Sequence, residues 1–135
     1  PLSETAEEDW LQEIKNILNK KGWLVLELQD FKNTLKMIQL SGGELKVWKE
    51  FHASDPWRYG LDTFSIQGKD IIWDKTFVKR SLPLETSSFT NILRPYSRDE
   101  IEGLLKRVGF DEVKIFDYWS EPCDIGREEY IVIAR

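Results

Sequence analysis

One cysteine, one histidine and one methionine occur among the 135 residues, and each scarcity removes a class of chemistry. A lone Cys123 can form no internal disulfide, so the chain reads as suited to a reducing, cytoplasmic setting. It lies in a loop behind a proline without a C-x-x-C partner, which marks a passive thiol. A lone His52 rules out a multi-histidine metal site, and any catalytic triad would have to be built around it. No serine or cysteine nucleophile motif stands near it, so His52 reads as structural or solvent-exposed. The eight glycines include Gly42-Gly43, but neither G-x-x-x-x-G-K-[ST] nor G-x-G-x-x-G surrounds that pair or occurs elsewhere. No apolar run approaches the roughly 18 residues of a membrane-spanning helix, and no charged-then-apolar leader is recognisable.

Positive charge is also short. Lys and Arg number 19 against 24 Asp and Glu, a formal net charge of -5. That balance offers little attraction to a nucleic-acid backbone or an anionic bilayer, so neither is expected as a partner. What the chain does have is length enough for one domain with a core, and six tryptophans. It opens on Pro1 rather than methionine and its first helix starts almost at once, as expected of a piece of a longer protein.

The stretch that organises the chain is Lys20-Lys21-Gly22-Trp23-Leu24-Val25-Leu26-Glu27-Leu28-Gln29-Asp30. Its near-continuous apolar run predicts a strand buried on both faces, in the middle of a parallel α/β sheet. Ahead of it, Thr5 and Glu8 can form a capping box, and Trp10, Leu11, Ile14, Ile17 and Leu18 recur at helical spacing. A helix over about residues 5–20 follows, with Gly22 in the left-handed C-terminal position. After the strand, Asp30 suits the cap of a short helix with apolar positions Phe31, Leu35, Met37 and Ile38, stopped by Ser41-Gly42-Gly43.

From there the period changes to two. Leu45 and Val47 alternate with Lys46, Trp48 and Glu50. Tyr59–Ile66 and Ile71–Lys79 read as strands joined by the turn Gln67-Gly68-Lys69-Asp70, and Ser87–Leu93 as one more, so the middle of the chain predicts an antiparallel meander. Helical logic then resumes. Ser97 and Glu100 form a second capping box, Ile101, Leu104, Leu105 and Val108 a stripe, and Gly109-Phe110 a stop. Val113–Trp119 and Tyr130–Ala134 read as strands around a loop at Pro122–Gly126.

Two groups of residues are candidates for a site. Glu27 is the only charge in the central run, near the carboxyl end of its strand, where ligands of open α/β sheets gather. It either lines a cleft or binds a loop amide at the strand tip. Trp57, Tyr59, Trp73, Tyr96 and Trp119 lie in or beside the meander, with Arg58 and Arg94 among them. An arginine among aromatics can hold a substrate carboxylate or phosphate, or merely stack at the surface, and each aromatic taken alone is more often packing.

The run SETAEEDWLQEIKNILNKKGWLVLELQD resembles the segment of class I S-adenosylmethionine-dependent methyltransferases that joins the fourth strand to the fifth, where a basic-Gly turn precedes "G-x-L-V-L-E". RPYSRDEIEGLLKRVGFDEVKIFDYW is similar to the next unit of that family, a helix ending in "GF" followed by the sixth strand. EEYIVIAR resembles its closing strand, which runs antiparallel between the fifth and sixth. The segment from about 44 to 93 is similar to the insertion that many small-molecule methyltransferases place over their substrate.

The resemblance implies one partial domain spanning 1–135. Residues 1–30 and 95–135 would form the C-terminal half of a Rossmann-like sheet, and 41–94 an antiparallel meander on the substrate side. A stand-alone α+β domain is the alternative. The family's glycine-rich loop and ribose-binding acid have no counterpart here, so S-adenosylmethionine would be held mainly by residues outside the chain, which alone would be inactive. Trp57, Arg58, Tyr59, Trp73, Arg94, Tyr96 and Trp119 would bind a small-molecule substrate and Glu27 would line the cleft. Methyl transfer needs positioning more than an obligatory acid or base, so no catalytic residue is expected. A non-catalytic module binding a ligand or protein is the competing function. Under either reading an exposed sheet edge predicts self-association.

Overall fold

Helix α3 (Arg98–Val108) shows local signals obeyed in full. Ser97 is its N-cap with extended backbone, the Ser97 side chain accepts from the Glu100 amide, and the Glu100 carboxylate accepts from the Ser97 amide. At the other end Gly109 turns left-handed at φ 99°, where its amide reaches the Leu105 and Lys106 carbonyls. Both ends are satisfied by residues within one turn of the helix, which is why the sequence alone locates it. The computed structural model describes residues 4–81, 83, 85–117 and 128–135, with side chains from residue 6 onward. The chain divides into two units, one made of Pro1–Phe31 with Pro95–Arg135 and the other of Lys32–Arg94.

In the first unit, α1 (Glu4–Ile17) leads to β1 (Leu24–Gln29), and α3 is followed by β6 (Val113–Asp117) and β7 (Glu129–Ala134). The strands form a three-stranded sheet in the order β1-β7-β6, with β7 antiparallel to both neighbours, so β1 and β6 run in the same direction. One face of the sheet, carrying Leu24, Leu26, Leu28, Tyr130, Val132, Ala134, Val113 and Ile115, meets Leu11 of α1 and Ile101, Leu104 and Leu105 of α3 in a single apolar core. Each large side chain buried there contributes about 1.5–3 kcal/mol. The helices are pinned together at the periphery by Arg107 to Glu8 at 3.0 Å and by Lys15, whose ammonium donates to the Gly109 carbonyl and lies over the Phe110 ring.

Two expectations are corrected here. β1 is not buried on both faces: its burial alternates, Val25 is 61 % exposed, and Trp23 and Phe116 are exposed on the same side of the sheet. Among the described residues α1 and α3 cover only the opposite face. Nor does Gly22 take a left-handed conformation. α1 ends at Ile17, and the chain then turns so tightly that a Cβ on Gly22 would sit 3.1 Å from the Asn19 carbonyl oxygen. Glycine serves there by lacking a side chain, not by its φ.

The second unit holds α2 (Lys32–Leu40) and a four-stranded antiparallel sheet of β2 (Glu44–Glu50), β3 (Trp57–Gln67), β4 (Asp70–Lys79) and β5 (Thr86–Leu93), in sequence order. β3 and β4 are joined by a tight turn with Gly68 at φ 62°, and their register runs from Gln67↔Asp70 back to Trp57↔Lys79, shifted once between Trp57 and Tyr59. α2 packs on β2 and β3 and buries Ile38 completely. Asp70, the only buried charged residue among those described, is held by Arg94.

Candidate functional site

Side-chain alternation along β3, β4 and β5 assembles one aromatic face. The strand register sets it out in rows: Gly60, Phe77 and Ser87; then Asp62, Lys75 and Phe89; then Phe64, Trp73 and Asn91. Phe64 stacks on Trp73 with ring centroids 5.6 Å apart, and Phe77 meets Phe51, Trp57 and Phe89 at 5.9, 5.2 and 6.0 Å. Gly60 makes this possible on the β3 side, because a Cβ there would stand 3.0 Å from the Phe51 ring. The one-residue shift in β3 matters as well. Without it Trp57 and Tyr59 would share a face; with it Trp57 turns to the aromatic side and Tyr59 to the other.

A charged pair lies in the middle of these rings. The Lys75 ammonium is 5.2 Å from the Trp73 centroid, 5.1 Å from Phe77 and 3.7 Å from Asp62 Oδ1. The Trp73 indole Nε1 donates to the same carboxylate oxygen at 2.9 Å. Asp62 and Lys75 remain about one-fifth exposed, at 19 % and 23 %. A carboxylate with several lone pairs retains acceptor capacity beyond these two partners. The arrangement can stack a ring against Trp73 or Phe77 and accept a hydrogen bond from a hydroxyl or amine on it.

In the first unit the polar groups gather at the carboxyl end of β1. Arg98 bridges Asp30 at 3.4 Å and Asp117 at 2.6 Å, and its guanidinium lies 4.9 Å from the Tyr130 ring centroid. The Tyr130 hydroxyl donates to the Tyr96 carbonyl at 2.6 Å. Burial, helped by the nearby Asp30 charge, pushes the Tyr130 hydroxyl up to about 12, so it stays a neutral donor at physiological pH. Gln29 donates to Glu129 at 3.2 Å, and Phe31, two residues on, adopts φ 51°. A bulky residue in the left-handed region costs about 1–2 kcal/mol.

Of the residues singled out by sequence, the structure brings Trp57 and Trp73 together on the aromatic face. Arg58 lies over Tyr59 at 5.0 Å, and Tyr59 meets Trp48 edge-on at 6.3 Å, on the opposite face. The Arg94 guanidinium is committed to Asp70, whose carboxyl its hydrogen bond holds below the usual range. Tyr96 and Glu27 belong to the first unit. Tyr96 is half-buried against the core, and Glu27 is exposed opposite Ile131 of β7. Trp119 and Cys123 lie outside the described residues. His52 is exposed, its Nδ1 2.9 Å from the Ser54 hydroxyl. Sequence reasoning passed over Phe51, Asp62, Phe64, Lys75, Phe77 and Phe89. The signal was present in the period-two series Gly60-x-Asp62-x-Phe64 and Trp73-x-Lys75-x-Phe77. Among the described residues there is no cluster that could hold a metal ion, and no helix is long and apolar enough to cross a membrane.

No protein-family profile and no curated protein matches the sequence. Solved structures do match the fold. A S-adenosylmethionine-dependent methyltransferase from Clostridium acetobutylicum superposes with a TM-score of 0.74 at 13% identity, over 98% of this chain and 52% of its own. The CcbJ methyltransferase of Streptomyces caelestis gives 0.73 at 12% identity, over 99% and 54%. An amino pentose methyltransferase from Micromonospora echinaspora, involved in calicheamicin biosynthesis and solved with S-adenosylmethionine bound, gives 0.65 at 12%, over 100% and 52%. The chain therefore spans about half the length of the structures it matches. Its fold is that of the C-terminal half of a Rossmann-like methyltransferase sheet, with the closing strand antiparallel between its neighbours, together with an antiparallel β-meander.

Proposed function

We propose that this chain supplies the substrate-binding portion of a small-molecule methyltransferase that uses S-adenosylmethionine. The observation that carries the reading is the β1-β7-β6 order, with β7 reversed, in a fold that matches methyltransferases along nearly its whole length. In this proposal no cofactor cradle is assigned to the described residues. The glycines with positive φ end α2, turn β3 into β4 and end α3, and none carries a strand into the N-terminus of a helix as a nucleotide loop requires. The cofactor contacts are accordingly assigned to sequence outside this chain. S-adenosylmethionine would supply an activated methyl group for in-line displacement, and no step is assigned to a residue here as acid or base.

The part of these residues is orientation and exclusion of water. In this proposal the substrate ring lies on the aromatic face between Trp73 and Phe77, with Trp57 at one side. Asp62 accepts from a hydroxyl or amine, and Lys75, 3.7 Å away, holds that carboxylate in place. Holding the acceptor this way lowers the barrier by removing motional freedom before reaction, and the rings reduce competition from water. One structural neighbour is an amino pentose methyltransferase, which supports a hydroxyl- or amine-bearing ring as the substrate class, and the cytoplasm is the setting proposed for this chain.

Calorimetry with S-adenosylhomocysteine tests the reading. The natural gene product, including any sequence encoded upstream of Pro1, is expected to bind it, whereas the 135-residue chain alone is expected to show neither binding nor methyl transfer. Turnover by the chain alone would sink the division of labour. A gene product that ignores S-adenosylhomocysteine would sink the methyltransferase reading itself.

A further inference from the structure

Among the described residues the meander has two edge strands, β2 and β5, and they are built differently. β2 reads ELKVWKE, with Glu44, Lys46, Lys49 and Glu50 along seven residues. Charged side chains on an edge are the usual protection against pairing with another chain. β5 reads TSSFTNIL, eight residues with no charge and no proline. Its register with β4 runs without a break from Ile71↔Leu93 to Val78↔Thr86, so no bulge twists the edge away. The hydroxyls of Ser88 and Thr90 are turned inward, to Thr76 and Asp74 of β4. Phe89 and Ile92, on opposite faces of the strand, are 43 % and 58 % exposed.

From this contrast we infer that β5 is an interaction edge, and that its partner is β5 of a second copy of this chain. The two strands pair antiparallel about a two-fold axis normal to the sheet. Such pairing is self-complementary and closes after one contact, and every residue it opposes along β5 is neutral. In the register centred on Phe89, that ring lies beside the partner's Phe89, and Ser88 lies opposite Thr90 of the partner subunit. The same operation on β2, centred on Val47, would set Glu44 against Glu50 of the partner subunit, like charges directly opposed, which is destabilising. Pairing β5 with β2 of the next copy would leave a free edge at each end and build an open fibre. The seven paired residues, Thr86 to Ile92, run for about 24 Å, and the two meanders then form one continuous sheet.

Sedimentation of the natural protein across the micromolar range is the test, with hydrogen exchange read on the same samples. The expected result is a dimer whose alternate β5 amides become protected as concentration rises, while β2 amides do not respond. Ile92→Lys, and independently Asn91→Lys on the other face of the strand, place charge on the edge. Each should weaken the dimer at least about tenfold, the effect of roughly 1.4 kcal/mol. Val47→Lys on β2 should leave it intact. A monomer at all concentrations would overturn the inference, as would a dimer lost in Val47→Lys but retained in both β5 variants. So would a dimer whose β5 amides stay unprotected, which would put the interface elsewhere. These readouts do not involve the cofactor, so failure here and failure of the methyltransferase reading are separable.

Discussion

The two units solve the problem of burial in opposite ways. The sheet of the first is closed on one face by α1 and α3, and among the described residues its core is apolar apart from the Tyr130 hydroxyl, which finds the Tyr96 carbonyl. The meander is largely a single layer. Among the described residues its long strands bury only Gly60, Asp70 and Ile71, and its aromatic face keeps Asp62 and Lys75 among the rings. Buried volume holds the first unit, whereas ring contacts and ion pairs hold the second. A packed core is stable but offers a ligand nothing to bind. A half-exposed aromatic face is less stable and leaves rings and a carboxylate within reach.

That contrast can be broken most severely at Arg94. The Asp70–Arg94 pair is nearly buried, with side chains 7 % and 14 % exposed, so Arg94→Ala leaves a buried carboxylate without its partner, at a cost of about 3–5 kcal/mol. Replacing both residues by leucine should cost less than Arg94→Ala alone. Urea titration followed by hydrogen exchange in the meander checks both. The pair also has a pH signature. The Asp70 carboxyl is lowered from 3.8, so its stabilisation is present above that value and is lost as pH falls below it through the folded-state value. An Arg94→Ala variant as stable as the parent at neutral pH would mean that the meander does not depend on this pair.

A slightly smaller effect is expected in the first unit. Leu105 is fully buried between α3 and the sheet, and Leu105→Ala should cost about 2–5 kcal/mol through lost transfer energy and a cavity. Exchange should quicken in α1, α3 and β7 while the meander amides stay protected. Uniform loss of protection in both units would show that they unfold together and would blur the distinction.

Smallest is Tyr130→Phe. It removes the bond to the Tyr96 carbonyl, at about 0.5–1.5 kcal/mol, and with it an alkaline transition. The wild-type hydroxyl is raised from 10.0 to about 12, so its contribution is complete below 10 and declines as pH rises from there to about 12. Thermal denaturation across that range should show the decline in the parent and not in Tyr130→Phe.

How much was legible in the sequence differs between the units for physical reasons. α3 was fully readable, since Ser97, Glu100 and Gly109 act through bonds to their own helix. The meander strands were readable in existence and order, because period two survives wherever one face is covered. The aromatic face was only half readable. Trp57 and Trp73 fall on the aromatic face, but a register shift between Trp57 and Tyr59 leaves no mark in composition, so the sequence does not show that Tyr59 turns to the other face. Arg94 looked like a ligand for substrate because its partner Asp70 is 24 positions away. Asp62 and Lys75 were overlooked because each looks, taken singly, like an ordinary strand charge.

The stretch from Gly22 to Asp30 divides the two kinds of knowledge most sharply. Its composition determined that it would be a strand, and its resemblance placed the closing strand beside it, because backbone preference and apolar run length are local properties. Which of its faces would be covered was not local. That was decided by α1 and α3 packing on the side of Leu24, Leu26 and Leu28, while Val25 and Glu27 face outward on the other. Burial is a property of what packs against a residue, and only the tertiary structure supplies the neighbour.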